Sequence, residues 1–164
     1  MSVVAVRVNK SNIEIASDSI IVRGDSKKTD STFHKLEKIN DIIIGAVGDA
    51  QEASLFMLYC HTHNIAEPTK KDVLAFMCEF VSWRAGLTED FLIHNDYIIV
   101  FGGKAFMVSD LFIEEITTYE AIGAGEDFAR AALYLGHSAR ESVEVACHLS
   151  CYVSEPIIEY KVTR

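Results

Sequence analysis

The first third of the chain shows the short, β-branched apolar runs that are typical of strands. Residues 3–8 and 13–17 are two such runs, and the turn-forming stretch 9–12 separates them. Two runs on either side of a turn predict a hairpin that begins near the start of the chain. Residues 35–39 and 42–47 flank an Asn-Asp turn in the same way and predict a second pair of strands.

Two helices are predicted next, because capping signals precede apolar stripes with helical spacing. Asp49 and Glu52 have the spacing of a capping box, and the stripe that follows them runs to about residue 63. Thr69 and Asp72 repeat that signature for a second helix. Gly86 is placed to end this second helix.

The second half of the chain repeats the order of strands followed by helices. Residues 97–101 and 104–108 flank a Gly-Gly turn and predict another hairpin, and short strands are expected across 111–122. Residues 126–135 and 138–152 then predict a second pair of helices, with a last strand after them.

This order of elements predicts an α+β fold with four layers. Two antiparallel sheets that stack face to face, each covered on its outer side by a helix pair, bury the apolar side of every element. The continuous apolar runs 42–47 and 97–101 fit strands that are covered on both faces. At 164 residues the chain has the size of one domain, so we expect a single α-β-β-α sandwich over residues 1–164.

The net charge and the hydropathy pattern argue against some classes of binding partner. The formal net charge of −9 argues against a nucleic-acid partner or an anionic membrane surface, because both require a basic face. No apolar run approaches the roughly 20 residues that span a bilayer. We also expect no targeting segment at the start of the chain, and therefore a cytoplasmic protein.

The four cysteines, Cys60, Cys78, Cys147 and Cys151, lie in apolar, helix-like stretches, where we expect buried reduced thiols. Cys147 and Cys151 would share a helix face, which is one half of a zinc site. A zinc site needs further ligands, and no second Cys/His pair has matching spacing. We therefore expect no metal and no cofactor, and no Walker-type loop indicates a bound nucleotide.

Five short segments follow one another in a specific order. They are Ala5-Val6-Arg7, Ala16-Ser17-Asp18-Ser19, His34-Lys35-Leu36, residues 45–50 and residues 122–129. In this order and at these separations they resemble the proteasome β-subunit and HslV family of N-terminal-nucleophile hydrolases, and the resemblance covers essentially the whole chain. The resemblance implies that fold, peptide-bond hydrolysis and self-assembly into a homo-oligomeric ring or cage. A peptide substrate and a separate ATPase chain are the further partners it implies.

The chemistry of such enzymes explains why these segments matter. A hydroxyl on the N-terminal residue is activated by the free α-amine of the same residue, whose ordinary pKa is about 7.7–8.0. A lysine lowers the proton affinity of both groups, an aspartate orients the lysine, and a backbone N–H stabilises the oxyanion. By resemblance, Asp18 and Lys35 take the aspartate and lysine roles as an ion pair, and the N–H of Gly48 takes the oxyanion role. Ala124 stands where the family commonly has a serine that helps to hold the amine. The missing hydrogen bond removes about 1 kcal/mol of net support for the amine.

Two alignments of the chain start lead to two different functions. Removal of Met1 would free the amine of Ser2 at the separation from Asp18 that the family uses, which predicts an active serine peptidase or amidohydrolase. The pattern of residues 3–7 instead places Met1 at the nucleophile position, with the extra residue in the 9–12 turn. A shift of one residue turns every side chain to the other face of the strand, so only one alignment can hold. The second alignment predicts a ring- or cage-forming protein without peptidase activity.

The aromatic residues of the first helix pair bear on assembly. Four large side chains, Phe56, Phe76, Phe80 and Trp83, are expected to exceed what one small core can bury. This excess predicts apolar faces for self-association. A third alternative for the function is the binding of a small ligand in the groove between the sheets.

Overall fold

The computed structural model describes residues 2–23, 26–28 and 33–164. The strands are β1 (Val4–Val8), β2 (Asn12–Ser17), β3 (Ile21–Arg23), β4 (Ser26–Lys28), β5 (Leu36–Ile39), β6 (Ile42–Val47), β7 (Asp96–Phe101), β8 (Lys104–Ser109), β9 (Phe112–Ile116), β10 (Tyr119–Ile122) and β11 (Ile158–Thr163). The helices are α1 (Ala50–Thr62), α2 (Lys70–Thr88), α3 (Glu126–Tyr134) and α4 (Ala139–Leu149). None of the helices in these ranges is both long and apolar enough to cross a bilayer.

The strands form two antiparallel sheets that stack face to face. The four-stranded sheet has the order β10-β1-β2-β11, the five-stranded sheet has the order β5-β6-β7-β8-β9, and β3 and β4 form a separate ribbon. One apolar cluster joins α1 and α2 to the five-stranded sheet, a second fills the space between the sheets, and a third joins the four-stranded sheet to α3 and α4. The predicted four-layer α-β-β-α arrangement is therefore confirmed.

Strand alternation distributes the side chains of β1 between two of these clusters. Val4 and Val6 are buried between the sheets, whereas Val3 and Ala5 are buried against the helices α3 and α4. The sheets approach each other closely at Gly45 of β6. A Cβ atom at Gly45 would lie 2.5 Å from the Cγ1 of Val4, so a larger residue there would force the two sheets apart.

The aromatic residues of α1 and α2 form one core with the five-stranded sheet. The ring of Phe56 lies 4.9 Å from that of Phe80 and 4.5 Å from that of Tyr97, between ring centroids. Phe76 is buried in the same cluster, and Trp83 packs against it. The expectation that these aromatics exceed one core is therefore wrong, because the helix pair and the sheet enclose them together.

Two of the predicted helix signals, one at the start of α1 and one near the end of α2, differ in the structure. The side chain of Asp49 caps α1 by accepting the N–H of Glu52 at 2.8 Å, but the carboxylate of Glu52 turns inward and does not complete the capping box. Helix α2 passes through Gly86 and ends at Thr88, where Glu89 adopts a left-handed conformation with φ +58°. A glycine ends a helix when it takes the left-handed conformation, and Gly86 is not among the described glycines that do so.

The remaining predicted elements are present with small shifts. The hairpins β1–β2, β5–β6 and β7–β8 have the predicted positions. Helix α4 begins with a complete capping box between Ser138 and Glu141 and ends at Leu149, short of the predicted residue 152.

Truncation of Phe56 tests the core between α1 and the sheet. Phe56→Ala should lower the free energy of unfolding by about 3–5 kcal/mol, because it opens a cavity among packed rings. Leu58 lies on the same helix but is 54% exposed, so Leu58→Ala should change the free energy by only about 0.5 kcal/mol. Urea unfolding followed by circular dichroism measures both values. Equal losses would contradict the assignment of the buried helix face.

Candidate functional site

Four segments meet at one end of the sheet sandwich. Ser2 precedes β1 and Asp18 follows β2, so both lie at the open end of the first hairpin. Lys35 precedes β5 and Gly48 follows β6, which places them at the matching end of the second hairpin. The structure therefore brings together all four residues that the sequence indicates.

The carboxylate of Asp18 connects three parts of the chain. Its Oδ2 accepts a hydrogen bond from the Nζ of Lys35 at 2.8 Å, and its Oδ1 accepts one from the N–H of Val3 at 2.9 Å. The side chains of Asp18 and Lys35 are 0% and 6% exposed. The predicted ion pair is thus present, and the same carboxylate also fixes the residue that follows Ser2.

Burial dominates the electrostatics of this pair. Burial raises the pKa of Asp18 and lowers the pKa of Lys35, while the attraction between the two charges opposes both shifts. A lysine with a lowered pKa releases its proton more readily than an exposed lysine. The thiol of Cys147 lies close enough to feel both charges, and burial raises its pKa to about 11.

Gly48 has a conformation that only glycine adopts readily. Its φ is +129°, and a Cβ atom would lie 2.1 Å from the Oδ1 of Asn95. Gly48 is exposed and lines a cleft at this end of the sheet sandwich. A backbone N–H beside a cleft is the type of donor that stabilises an oxyanion.

A cleft of 260 Å³ lies beside these residues. Ser2, Lys35, Gly48 and Asp49 contribute its polar part. The other lining residues are apolar: Ile20, Ile21, Phe33, Ala46, Ala50 and Ala53. A polar end next to apolar walls fits a molecule that has a polar reacting group and an apolar side chain.

The main chain of Ser2 is held from two directions. Its carbonyl oxygen accepts the N–H of Gly125 at 3.2 Å, and Gly123 packs against the same oxygen, with an added Cβ only 2.5 Å away. On the other side, Asp18 holds the N–H of Val3. The segment of residues 122–129 therefore supports the chain start through its glycines, and the side chain at Ala124 is not needed for these contacts.

Strand alternation assigns the side chain of Ser2 to one face of the sheet. Val3 packs against α3 and α4, whereas Val4 is buried between the two sheets. Ser2 alternates with Val3 and therefore shares the face of Val4, toward the other sheet. Met1, which the second alignment places at the nucleophile position, lies outside the described residues.

Asn95 is a residue of the site that the sequence analysis missed. Its side chain contacts the backbone of Asp49, next to Gly48, across a separation of 46 residues. A single asparagine in a loop before a strand has no local signature, so no sequence pattern could have identified it.

The described residues offer no cluster of three or more His, Cys, Asp or Glu side chains that could hold a metal ion. Cys60 is buried and Cys147 is partly buried, but Cys78 and Cys151 are exposed, and all four are free thiols. The prediction of four buried cysteines is therefore wrong for two of them. Cys78 lies on the outer face of α2, and Cys151 lies beyond the end of α4.

No family model matches the chain, and no curated protein matches it either. Solved structures do match. The BPH of Thiobacillus denitrificans in complex with epoxomicin superposes with a TM-score of 0.85 at 18% identity, over 98% of each chain. Eukaryotic HslV from Trypanosoma brucei superposes with a TM-score of 0.75 at 19% identity, over 99% of each chain. Anbu, described as an ancestral β-subunit, from Yersinia bercovieri superposes with a TM-score of 0.73 at 18% identity, over 98% of this chain and 81% of its own.

These similarities show that the chain has the N-terminal-nucleophile hydrolase fold. The structures with which it shares this fold are proteasome-β and HslV-like proteins. The resemblance that the five sequence segments predict is confirmed at the level of the fold.

Removal of the Lys35 ammonium tests the buried pair. Lys35→Met leaves the Asp18 carboxylate buried without its partner, which should lower the free energy of unfolding by about 3–5 kcal/mol near neutral pH. Loss of the partner raises the pKa of Asp18 further above its ordinary value of 3.8. When the pKa of a carboxyl is higher in the folded state than in the unfolded state, protonation favours the folded state. The loss of unfolding free energy in Lys35→Met should therefore shrink as the pH falls toward that ordinary value.

The matched control is Lys38→Met, because Lys38 is exposed on the same strand β5. It should leave the free energy of unfolding within about 0.5 kcal/mol of the parent value. Urea unfolding at neutral and acidic pH gives the measurement. A loss for Lys35→Met that does not depend on pH would contradict the buried carboxylate as its cause.

Proposed function

We propose that the chain hydrolyses peptide or amide bonds, with Ser2 as an N-terminal nucleophile once its α-amine is free. The observation that supports this most directly is the cleft in which Ser2, Lys35 and Gly48 meet, next to the buried Asp18–Lys35 pair. We further propose that residues 1–164 act as one domain and that copies of the chain assemble into a ring or cage.

The proposed mechanism assigns one task to each residue. The Oγ of Ser2 attacks the substrate carbonyl carbon, and the amine of Ser2 takes the hydroxyl proton. The charge of Lys35, oriented by Asp18, lowers the proton affinity of both groups. The N–H of Gly48 stabilises the oxyanion, and the protonated amine then gives its proton to the leaving nitrogen. Water attacks the resulting ester in the second half of the cycle and releases the product.

The buried ion pair supports a functional role for the site. Replacing a buried ion pair by apolar residues of similar volume is often neutral or stabilising, so stability alone does not explain why such a pair is present. Here the pair lies beside a cleft and holds the main chain next to the proposed nucleophile. These two facts favour a chemical task for the pair.

The walls of the cleft indicate the substrate class. Isoleucine, phenylalanine and alanine side chains surround its interior, and Lys35 is the charged group at its polar end together with Asp49. We therefore propose peptides with an apolar side chain next to the bond that is cleaved. Epoxomicin, with which the Thiobacillus BPH structure was solved, is a suitable probe.

Strand alternation supports a second candidate function. Residues 3–6 alternate between the two clusters, and this pattern also fits the alignment that places Met1 at the nucleophile position. In that case the chain is a catalytically silent subunit that forms a ring or cage. The chain start must therefore be varied directly to separate the two functions.

Exposed apolar side chains support the proposed assembly. Leu87, Phe91 and Leu92 are 61%, 71% and 65% exposed at the end of α2 and in the loop that follows it. Burial of such a group of side chains is favourable at roughly 25 cal/mol per Å² of apolar surface. These residues are among the exposed apolar side chains available for contacts between copies, whereas the aromatics of the helix core are buried.

Three versions of the chain start test the nucleophile. A cleavable N-terminal fusion releases chains that begin at Ser2, at Met1, or at the threonine of Met1→Thr. The chain that begins at Ser2 should hydrolyse peptide amides with apolar side chains. The Met1 form should be slower by about 10²–10⁴-fold, because the amine of Ser2 is then part of a peptide bond. Ser2→Ala and Lys35→Ala in the form that begins at Ser2 should abolish turnover. Intact-mass analysis should show that epoxomicin modifies the form that turns over substrate and does not modify these two variants.

The remaining outcomes decide between the candidates. Turnover in the Met1→Thr form alone would show that residue 1 is the nucleophile position and that Ser2 is not. A complete lack of turnover in all three folded forms would favour the silent subunit. Turnover in the Met1 form that survives Ser2→Ala would refute the proposed mechanism.

Light scattering and native mass spectrometry test the assembly. At micromolar concentration the mass of the particle in solution should be a whole-number multiple of the 18.2 kDa of one chain and larger than one chain. Phe91→Asp should weaken the assembly by placing a charge in the contact, whereas Phe91→Leu keeps an apolar side chain and should leave it intact. A monomeric mass for the parent chain would contradict the proposal.

A further inference from the structure

The side-chain amide of Asn95 holds the backbone of Asp49 at two atoms. Its Oδ1 accepts the N–H of Asp49, and its Nδ2 donates to the carbonyl oxygen of Asp49 at 2.9 Å. One contact needs an acceptor and the other needs a donor, so the orientation of the amide is fixed. Asn95 is 2% exposed, so its side chain is held by these contacts and not by solvent.

The same amide packs against Gly48. A Cβ atom at Gly48 would lie 2.1 Å from the Oδ1 and 2.9 Å from the Cγ of Asn95. The peptide group after Gly48 contains the N–H of Asp49, which Asn95 holds. Before Gly48, Val47 is paired with Asp96 in the β6–β7 ladder. The backbone of Gly48 is thus fixed on both sides, and with it the direction of its N–H.

Asn95 is held in turn by the carboxylate of Glu52. The Oε1 of Glu52 accepts the N–H of Asn95 at 3.2 Å and the hydroxyl of Tyr97 at 2.8 Å. Its Oε2 accepts the N–H of His94 at 2.9 Å and pairs with the guanidinium of Arg84. One buried carboxylate therefore binds four donors, and it fixes the loop before β7 relative to the start of α1.

We propose that Asn95 is a positioning residue for the N–H of Gly48, and that Glu52 keeps Asn95 in place. This inference rests on the proposed hydrolase function, because it concerns the group that would bind the oxyanion. An oxyanion donor acts only when its N–H points at the atom on which charge develops, and a displacement of about 1 Å costs about 10²-fold in rate. Neither Asn95 nor Glu52 is among the described residues that line the cleft, so both act through Gly48.

The variant Asn95→Asp tests this role with little change of shape. It replaces the Nδ2 donor by an oxygen that faces the carbonyl oxygen of Asp49, so one of the two contacts becomes repulsive. In the chain that begins at Ser2, kcat on peptide amides should fall about 10- to 100-fold, while KM changes less than about twofold. Asn95→Ala removes both contacts and serves as the second variant if Asn95→Asp does not fold.

The matched control is Asn40→Asp, because Asn40 is an exposed turn residue at the opposite end of β6. It should leave kcat and KM unchanged. A merely structural role for Asn95 would lower the free energy of unfolding in the Asn95 variants without changing kcat per folded molecule. That result would overturn the proposal.

Hydrogen exchange of the Asp49 amide separates this inference from the proposed function. In Asn95→Ala, which removes the acceptor of this N–H, the Asp49 amide should exchange at least about tenfold faster than in the parent chain, relative to the amides of α1. Unchanged exchange would overturn the positioning role even if the parent enzyme is active. Faster exchange in the variant, together with a parent chain that shows no turnover, would uphold the contact and refute the hydrolase function.

Discussion

The buried carboxylate of Asp18 is the contact on which the geometry of the cleft depends. It lies at the end of β2 in one sheet, accepts a hydrogen bond from Lys35 at the start of β5 in the other sheet, and holds the N–H of Val3 at the start of β1. Without it, the two sheets would lose their polar connection at this end. The chain start would also lose the bond that fixes its direction. A lone carboxylate at this depth is costly, and the ammonium of Lys35 offsets that cost.

A second buried carboxylate performs the corresponding task on the other side of the cleft. Glu52 pairs with Arg84 and binds the backbone of the loop that ends at Asn95, which holds the backbone next to Gly48. Each ion pair fixes main-chain atoms of residues other than the two that carry its charges. We therefore regard both as devices that set geometry, because buried ion pairs contribute little net stability compared with apolar packing. The apolar clusters supply the stability, and the two pairs decide where the backbone at the cleft points.

The layers of the fold could be predicted from the sequence because the pattern of each element is local. Strand runs, turn residues and helix caps predicted the hairpins, the helix pairs and their order, and continuous apolar runs predicted which strands are covered on both faces. The errors have physical causes. Gly86 does not end α2, because it does not take the left-handed conformation, which Glu89 adopts instead. The aromatics of α1 and α2 fit one cluster, because a helix pair and a five-stranded sheet enclose more volume than the sequence indicates.

The sequence by itself determined the order of elements, the four-layer architecture and the four residues Ser2, Asp18, Lys35 and Gly48 that converge on the cleft. Only the tertiary structure decided which faces meet. It showed that Asp18 binds the N–H of Val3, and that Asn95 holds Asp49. The reason is that these contacts join segments far apart in the chain, and their geometry depends on strand register and on how the sheets stack. Local patterns specify an element and its buried face, but they do not specify the partner that the face will meet.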